Sequence, residues 1–438
     1  MQDDTSWPSS GEAGYVLAVL MLAYILSFVD RNVLAILVGP IRAEFAITDF
    51  QFSLLHGTAF TLFYVLLGVP FGWLADRYDR RRIILGGVAF WSLMTALCGF
   101  ARGFASLFVF RVGVGVGEAT LSPAAYSLLG DCFRPGRLRW ATSIFAMGIT
   151  LGTGISYLVG GWLYEYFAAL ASQGGGIPYG LSAWQATFVV VGASGVLVLG
   201  LLFFVREPLR RGDTREEPPA FAETLAWLRA NRRCCTSLML GVSLLAVIGY
   251  GSMAWYPEML LRTHGMPKGE AGSALGLVFM LAGTLGCLCG AFFASALARR
   301  GHVDANMRWV MIAAWLAALP ALAAPLMPDA RATLALFALV TFLHYSHFGV
   351  AMAALNLVSP VRMRGQVSAI MLFCTNLLGL GLGATLVAAL TDFVFREDVA
   401  LAQSLALASA VCYPAAALLL GTGLAAYRRA LPAPARVD

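Results

Sequence analysis

Charge is scarce in this chain. Of its 438 residues only 12% are charged, while 59% are hydrophobic and the mean hydropathy is +0.76. A soluble domain carries about 25% charged residues, so this balance excludes one and points to a polytopic membrane protein. Basic residues are missing where a leader would need them. Residues 1–13 hold Asp3, Asp4 and Glu12 and neither Lys nor Arg, so no cleavable signal peptide is expected. Catalytic signatures are missing as well: the chain has no Gly-x-Ser-x-Gly, no His-Glu-x-x-His and no Walker A pattern. An intramembrane enzyme is therefore the least favoured class. The eight cysteines lie mostly in apolar runs, where they read as packing residues and not as a disulfide framework.

What the chain does have is length of apolar helix. A span needs about 20 apolar residues, and suitable runs fall near 15–41, 51–75, 83–101, 105–130, 140–164, 184–205, 236–261, 270–298, 307–327, 332–357, 366–391 and 400–427. The one long polar stretch, residues 206–233, divides them six and six. The expected organisation is an N-terminal bundle over 1–205, a linker over 206–233 and a C-terminal bundle over 234–438. In the linker Phe221, Leu225 and Leu228 recur at helical spacing beside Glu223 and Arg229, which suits either a short surface helix or plain linker.

Arginine placement orients the chain. Twenty-two of the 30 Lys and Arg residues fall in the even-numbered loops and at the C-terminus, and six on the opposite side. The positive-inside rule then puts both termini in the cytoplasm. The halves also repeat. Pro135-x-Arg137-x-Arg139-x-x-x-Ser143 recurs as Pro360-x-Arg362-x-Arg364-x-x-x-Ser368, which aligns Asp131 with Asn356. A parallel repeat of two six-helix halves is the plan of transporters that bind substrate at the midplane.

Against this apolar background a few charges stand out. Asp30 and Arg31 sit together inside the first apolar run, and Arg111 and Glu118 inside the fourth. A charge at mid-bilayer costs roughly 2.5–3.5 kcal/mol on insertion scales, so such groups persist where they face one another or a water-filled cavity. Arg111 and Glu118 are seven residues apart, two helical turns, and share a face. Gly113, Gly115 and Gly117 between them allow close contact with a neighbouring helix. Burial favours the neutral form of a carboxyl and a guanidinium favours its ionised form. That competition makes Asp30 and Glu118 candidate proton carriers, with Arg, which holds its proton, as fixed charge.

The loop after the second run reads Gly72-Trp-Leu-Ala-Asp76-Arg77-Tyr-Asp79-Arg80-Arg81-Arg82 and resembles the major facilitator signature Gly-x-x-x-Asp-Arg-x-Gly-Arg-Arg. Asp79 stands where that signature has its second glycine, so the turn is expected to differ. The resemblance implies an all-α membrane fold of twelve helices in two pseudo-symmetric six-helix bundles. It further implies a cytoplasmic latch built from Gly72, Asp76, Arg77 and Arg80, with Arg80 and Asp131 as an added ion pair and Asp76 near Gly365 and Ser368. The simpler reading is a positive-inside anchor. The corresponding place in the second half has Ala294 for Asp76, so a latch there would be weaker.

A narrower resemblance rests on Phe28-Val-Asp30-Arg31-Asn32 and Arg111-Val-Gly-Val-Gly-Val-Gly-Glu118-Ala119, which look like the Spinster family. Members carry lysophospholipids or sphingosine phosphate, and proton coupling is assigned to some. Carried over, the resemblance implies that Asp30 and Glu118 are the protonatable pair, with Arg111 as their ionic partner and Arg31 as a second cation near the headgroup.

The second half offers little charge inside its helices. Tyr250, His344, His347, Asn356 and Asn376 are its polar groups, and Glu258, after Pro257, is expected at the interface. His344 and His347 lack the further ligands a metal needs, so they are read as cavity-lining or interhelical groups and no metal or cofactor is expected. Tyr24, Phe28 and Tyr64 are candidate cavity aromatics. One wall with charges and one without suits an amphipathic lipid, whose tail contributes roughly 0.8 kcal/mol per buried CH₂. A hydrophobic drug or small organic anion is the rival cargo. The expected protein is a monomeric, multi-pass protein of a bacterial inner membrane, surrounded by membrane lipids and independent of nucleic acid.

Overall fold

The computed structural model describes residues 7–174, 176–210 and 221–431, and all regular elements among them are helices. Twelve are long and apolar enough to cross a membrane: Ser10–Ile36, Asp49–Arg77, Arg80–Cys98, Phe104–Cys132, Gly136–Ser172, Ala183–Phe203, Arg232–His264, Lys268–Arg299, Ala305–Leu326, Ala330–Val358, Val361–Phe395 and Asp398–Ala430. They are called spans 1 to 12, and they match the apolar runs one for one. Among spans 1 to 6 "near end" denotes the end where span 1 begins, and among spans 7 to 12 the end where span 12 finishes; "far end" is the other in each.

Local chemistry sets where spans start. Ser9 with Glu12, Thr48 with Gln51, and Ser182 with Gln185 form reciprocal capping boxes at spans 1, 2 and 6. Asp79 accepts from the Arg82 amide at 2.9 Å and caps span 3. The residue that departs from the signature therefore does the work of an N-cap. Wider π turns interrupt span 2 at Leu54–Thr58, span 8 at Val278–Gly283 and span 11 at Leu390–Phe395.

Contacts divide the chain into two units, Met1–Asp213 with Tyr256–Met280, and Thr214–Trp255 with Leu281–Asp438. In the first unit the glycines of span 4 lie against neighbours as expected. A Cβ on Gly115 would stand 2.4 Å from the Phe60 carbonyl oxygen of span 2, and one on Gly117 2.8 Å from the Trp91 nitrogen of span 3. Gly72 is less crowded: a Cβ there would meet only Pro123, at an ordinary 3.9 Å.

The segment Tyr256–Met280 meets span 5 along a seam of glycines. A Cβ on Gly154 would lie 2.6 Å from the Gly276 oxygen, and one on Gly276 2.7 Å from the Gly154 oxygen. Gly272 approaches the Tyr157 oxygen in the same way at 2.3 Å, and Gly161 the Lys268 oxygen at 2.6 Å. At the far end of this seam Arg262 grips Asp49 with two hydrogen bonds of 2.6 and 2.8 Å, and its Nε donates to Glu258 at 2.9 Å. Arg42 reaches the same Asp49 carboxylate at 3.0 Å. Asp49 is fully buried and Glu258 nearly so. Glu258 is thus enclosed in an ion network, held by the arginine one turn later that it shares with the acid at the start of span 2.

The second unit holds its helices by similar means. Gly286 and Gly290 of span 8 lie under the Phe342 and Ser346 carbonyls of span 10, at 2.3 and 1.9 Å from a built Cβ. Gly290 stands four residues before Ala294 as Gly72 stands four before Asp76, and of the two only Gly290 has a carbonyl pressed on it. The Trp255 indole donates to the Ala384 oxygen at 2.8 Å. Asp304 accepts from Arg308 at 2.8 and 3.0 Å and pairs with Arg428 at 3.4 Å. Burial alone would push its carboxyl up, but these guanidiniums outweigh it and hold it below the usual carboxylate range. Ser368 donates to Asn356 at 3.0 Å.

The linker assignment falls partly on residues 211–220, outside the described residues. Beyond them Phe221–Ala230 is a helix, with Thr224 donating to Gln366 of span 11 at 2.6 Å.

Candidate functional site

The charges singled out in spans 1 and 4 meet inside the first unit. Asp30, Arg31, Arg111 and Glu118 are 0%, 4%, 0% and 2% exposed, so all four are removed from bulk solvent together. Their pairing differs from the one implied by resemblance. Arg31, not Arg111, holds Glu118, with Nη2 2.7 Å from Oε2. Arg111 spends its guanidinium on main-chain oxygens instead: Nη1 donates to Asp30 at 3.1 Å, Nη2 to Arg31 at 3.3 Å and Nε to Leu55 at 3.5 Å. The π turn of span 2 contains Leu55, so the irregular helix faces an arginine with one of its carbonyls.

Helix geometry explains the exchange. Adjacent residues on a helix point about 100° apart. With Arg31 directed at Glu118, Asp30 is turned toward span 3, where the Trp91 indole lies beside its carboxyl without reaching hydrogen-bond geometry. Both Asp30 oxygens and the Glu118 Oε1 are buried and lack a hydrogen-bond partner. His56, on the π turn, is also buried, and its Nδ1 lacks a partner.

Aromatic rings enclose the Arg31 guanidinium, with Phe28, Phe60 and Tyr64 at 4.6, 4.3 and 5.1 Å from its carbon. Such contacts are attractive and strengthen out of water. Tyr24 stacks on Phe145 with centroids 4.5 Å apart and meets Phe28 edge-on at 5.3 Å. Asn32 bridges spans 1 and 5, donating to the Phe28 oxygen at 2.9 Å and to Thr153 at 3.5 Å. Phe60, Trp91 and His56 escaped the sequence reading. Aromatic residues are frequent in every span, and a lone His carries no local mark.

At the near end the Arg80–Asp131 ion pair is present. Arg80 is fully buried, and it also donates to Glu207 at 2.6 Å and to the Ser127 carbonyl at 3.1 Å. Glu207, the second residue of the linker, was not anticipated; a charged linker gives no hint of which acid turns back. Arg77 lies over the Trp73 ring at 3.9 Å. Asp76 is exposed, and its main-chain oxygen accepts from Arg210.

The polar groups of the second unit are gathered differently. His344 shares a 3.2 Å hydrogen bond with the Tyr413 hydroxyl, and the His347 ring lies 5.0 Å from it. His347 is buried, and Asn376 is half-buried in span 11. His344 is thus an interhelical bonding group, one of the two roles expected of it.

Comparison with known proteins follows the same lines. Residues 20–384 match the family model described as Major Facilitator Superfamily. A "MFS-type efflux pump" of Mycolicibacterium smegmatis is 27% identical over 410 residues, covering 91% of both chains. Human "Protein spinster homolog 1" is 32% identical over 298 residues, 64% of this chain and 53% of that protein. The chain thus spans about half the length of the spinster homologue it matches. Among solved structures, a bacterial homologue of the human lysosomal transporter Spinster, in an inward-facing and unoccupied conformation, has a TM-score of 0.81. It is 28% identical, with 98% of this chain and 100% of that one covered.

Proposed function

Because the chain belongs to the Major Facilitator Superfamily, as a Spinster-like transporter and not an enzyme, we propose that it couples proton movement to transport of an amphipathic lipid. The observation that carries this reading is the buried set of Asp30, Glu118, Arg31 and Arg111, with three carboxylate oxygens lacking any hydrogen bond. An ionised carboxylate left without partners in an apolar interior is costly. A proton on Asp30 removes that cost without moving a side chain. Arg31 binds Glu118, and Glu118 has one oxygen to spare; an anionic headgroup that drew Arg31 away would leave that acid to take a proton. One guanidinium then links cargo and coupling ion, a role for Arg31 where resemblance had implied Arg111. Arg111, anchored on three carbonyls, serves as the fixed countercharge.

The rest of the site follows from the same proposal. Tyr24, Phe28, Tyr64, His344, His347 and Asn376 contribute substrate contacts. Gly72, Asp76, Arg77, Arg80 and Asp131 form the gate at the near end. The near end faces the cytoplasm of a bacterial cell, and the transporter works as a monomer in its inner membrane. A drug or small organic anion as cargo is the second reading, favoured by the efflux-pump relative.

Transport by purified protein in proteoliposomes, with and without an imposed pH gradient, tests the coupling. Asp30→Asn and Glu118→Gln should abolish the response to the gradient, while counterflow survives in at least one of them. Arg111→Ala should damage both. Full wild-type response in both acid variants would mean that these carboxyls are structural.

A further inference from the structure

At the near end of the second unit, span 7 begins and span 12 ends beside one another, and a cavity of about 320 Å³ opens between them. Its wall includes Asn231, Arg232, Arg233, Arg429, Ala426 and Ala430. The three arginines are exposed, and among the described residues none is paired with an acid. Their neighbour Arg428 shows the contrast, since it pairs with Asp304 at 3.4 Å. Three like charges around one small cavity repel each other unless an anion sits among them. Guanidinium groups in particular match the oxygens of a phosphate.

The surface continuing from this cavity is of another kind. On span 7, Arg233, Thr236 and Leu240 are exposed in succession, and on span 12, Arg429, Ala425, Thr422 and Leu418. Spacings of three and four put each set on one helix face. Each stripe starts at an arginine of the cavity wall and runs toward mid-span, ending at Leu240, 46% exposed, and Leu418, 59% exposed. The helices touch through other faces: a Cβ on Gly423 would overlap the Ser237 hydroxyl, and one on Gly241 would stand 2.8 Å from Leu420. The result is a basic cavity from which an apolar stripe leads along the outer face of each helix. A free phosphate would use only the cavity; a phospholipid uses cavity and stripe.

We propose that this cavity holds an anionic phospholipid of the surrounding membrane, its phosphate among Arg232, Arg233 and Arg429 and an acyl chain along the stripe that ends at Leu240. Basic pockets between membrane helices are suited to such headgroups. The lipid is retained rather than carried, because the site belongs to the second unit and the buried charges of spans 1 and 4 to the first. It also meets the end of the helix Phe221–Ala230, which Thr224 fastens to span 11. An occupied cavity therefore braces the linker helix against its bundle.

The test uses the full chain in detergent, with phosphatidylglycerol, phosphatidylcholine and inorganic phosphate as probes, read by native mass spectrometry and thermal melting. Phosphatidylglycerol should be retained and raise the melting temperature, phosphatidylcholine should not, and millimolar phosphate should not displace it. Changing Arg232, Arg233 and Arg429 together to Gln should weaken retention at least tenfold. Arg299→Gln with Arg300→Gln, a basic pair elsewhere on the unit, should leave it unchanged, as should Asp30→Asn. Arg429→Gln alone supplies the same comparison where the triple variant folds poorly. Equal loss in the Arg299/Arg300 control, equal retention of the two lipids, or displacement by phosphate would each overturn the proposal.

Discussion

Arg31 and Glu118 form a pair whose removal from water is compensated only while both remain. Breaking such a pair leaves a buried charge and costs about 3–5 kcal/mol, whereas replacing both members with apolar groups of similar volume is often neutral or better. Glu118→Met should therefore lower the melting temperature sharply, and Arg31→Met with Glu118→Met should recover most of the loss. Melting curves of the two variants in detergent decide this; equal losses would show that the pair contributes nothing as a pair. At this scale the sequence was informative about which residues matter. Four charges in apolar runs are conspicuous in any order of reading. Which acid takes which base was not legible, because Asp30 and Arg31 are adjacent and a rotation of span 1 by about 100° exchanges their directions. The ring of Phe28, Phe60 and Tyr64 around Arg31 was half visible: Phe28 and Tyr64 were named for a cavity, and Phe60 looked like any other phenylalanine in a span.

Whole helices show a similar division. Apolar length and the arginine-rich loops were enough to find all twelve spans. The glycines announced close packing without saying where it would fall, and Gly72 and Gly290 illustrate the ambiguity: equivalent in the repeat, only the second has a carbonyl pressed on it. The π turns left no trace, since a helix widened by one residue keeps the composition of its neighbours. Nor did the sequence reveal that Tyr256–Met280 would group with the first unit. The seam that joins this segment to span 5 yields a direct expectation. Gly272→Leu would force a side chain into a carbonyl 2.3 Å from the position of its Cβ, and overpacking of this kind costs typically about 1–3 kcal/mol. The variant should melt earlier than wild type, while Gly265→Leu would be a poor control because its φ of 62° already disfavours a side chain. Gly349→Leu, with open space around it, is the better one and should melt as wild type does. A Gly272→Leu protein with an unchanged melting temperature would show that the seam yields easily.

For the molecule as a whole, the proposed cargo has a head and a tail, and the two make separable demands. Affinity across a homologous series of lysolipids should rise with chain length and then level off, measured by competition in proteoliposomes. Affinity that ignores chain length and follows aromatic content instead would favour a drug carrier. The gate proposed at the near end makes a second demand. Asp76 is exposed, and its backbone rather than its carboxylate is occupied by Arg210, so Asp76→Asn should lower transport without unfolding the protein. Paired distance measurements between labels at the near ends of spans 2 and 11 should shift in the variant; an unchanged distribution would reduce Asp76 to a topology anchor.

The seam between span 5 and the segment Tyr256–Met280 carries one more implication, a calorimetric one. Faces built from glycine are largely peptide, so wetting them exposes amide and hydrocarbon in comparable amounts. Per Å² those surfaces change heat capacity by about −0.26 and +0.45 cal/K/mol respectively, so the first cancels somewhat more than half of the second. A leucine-lined contact of equal size would have only the positive one, and its equilibrium would bend with temperature. A contact of glycine on carbonyl parts with an enthalpy that varies less with temperature, so the balance between closed and parted forms follows a straighter van't Hoff line from cold to warm.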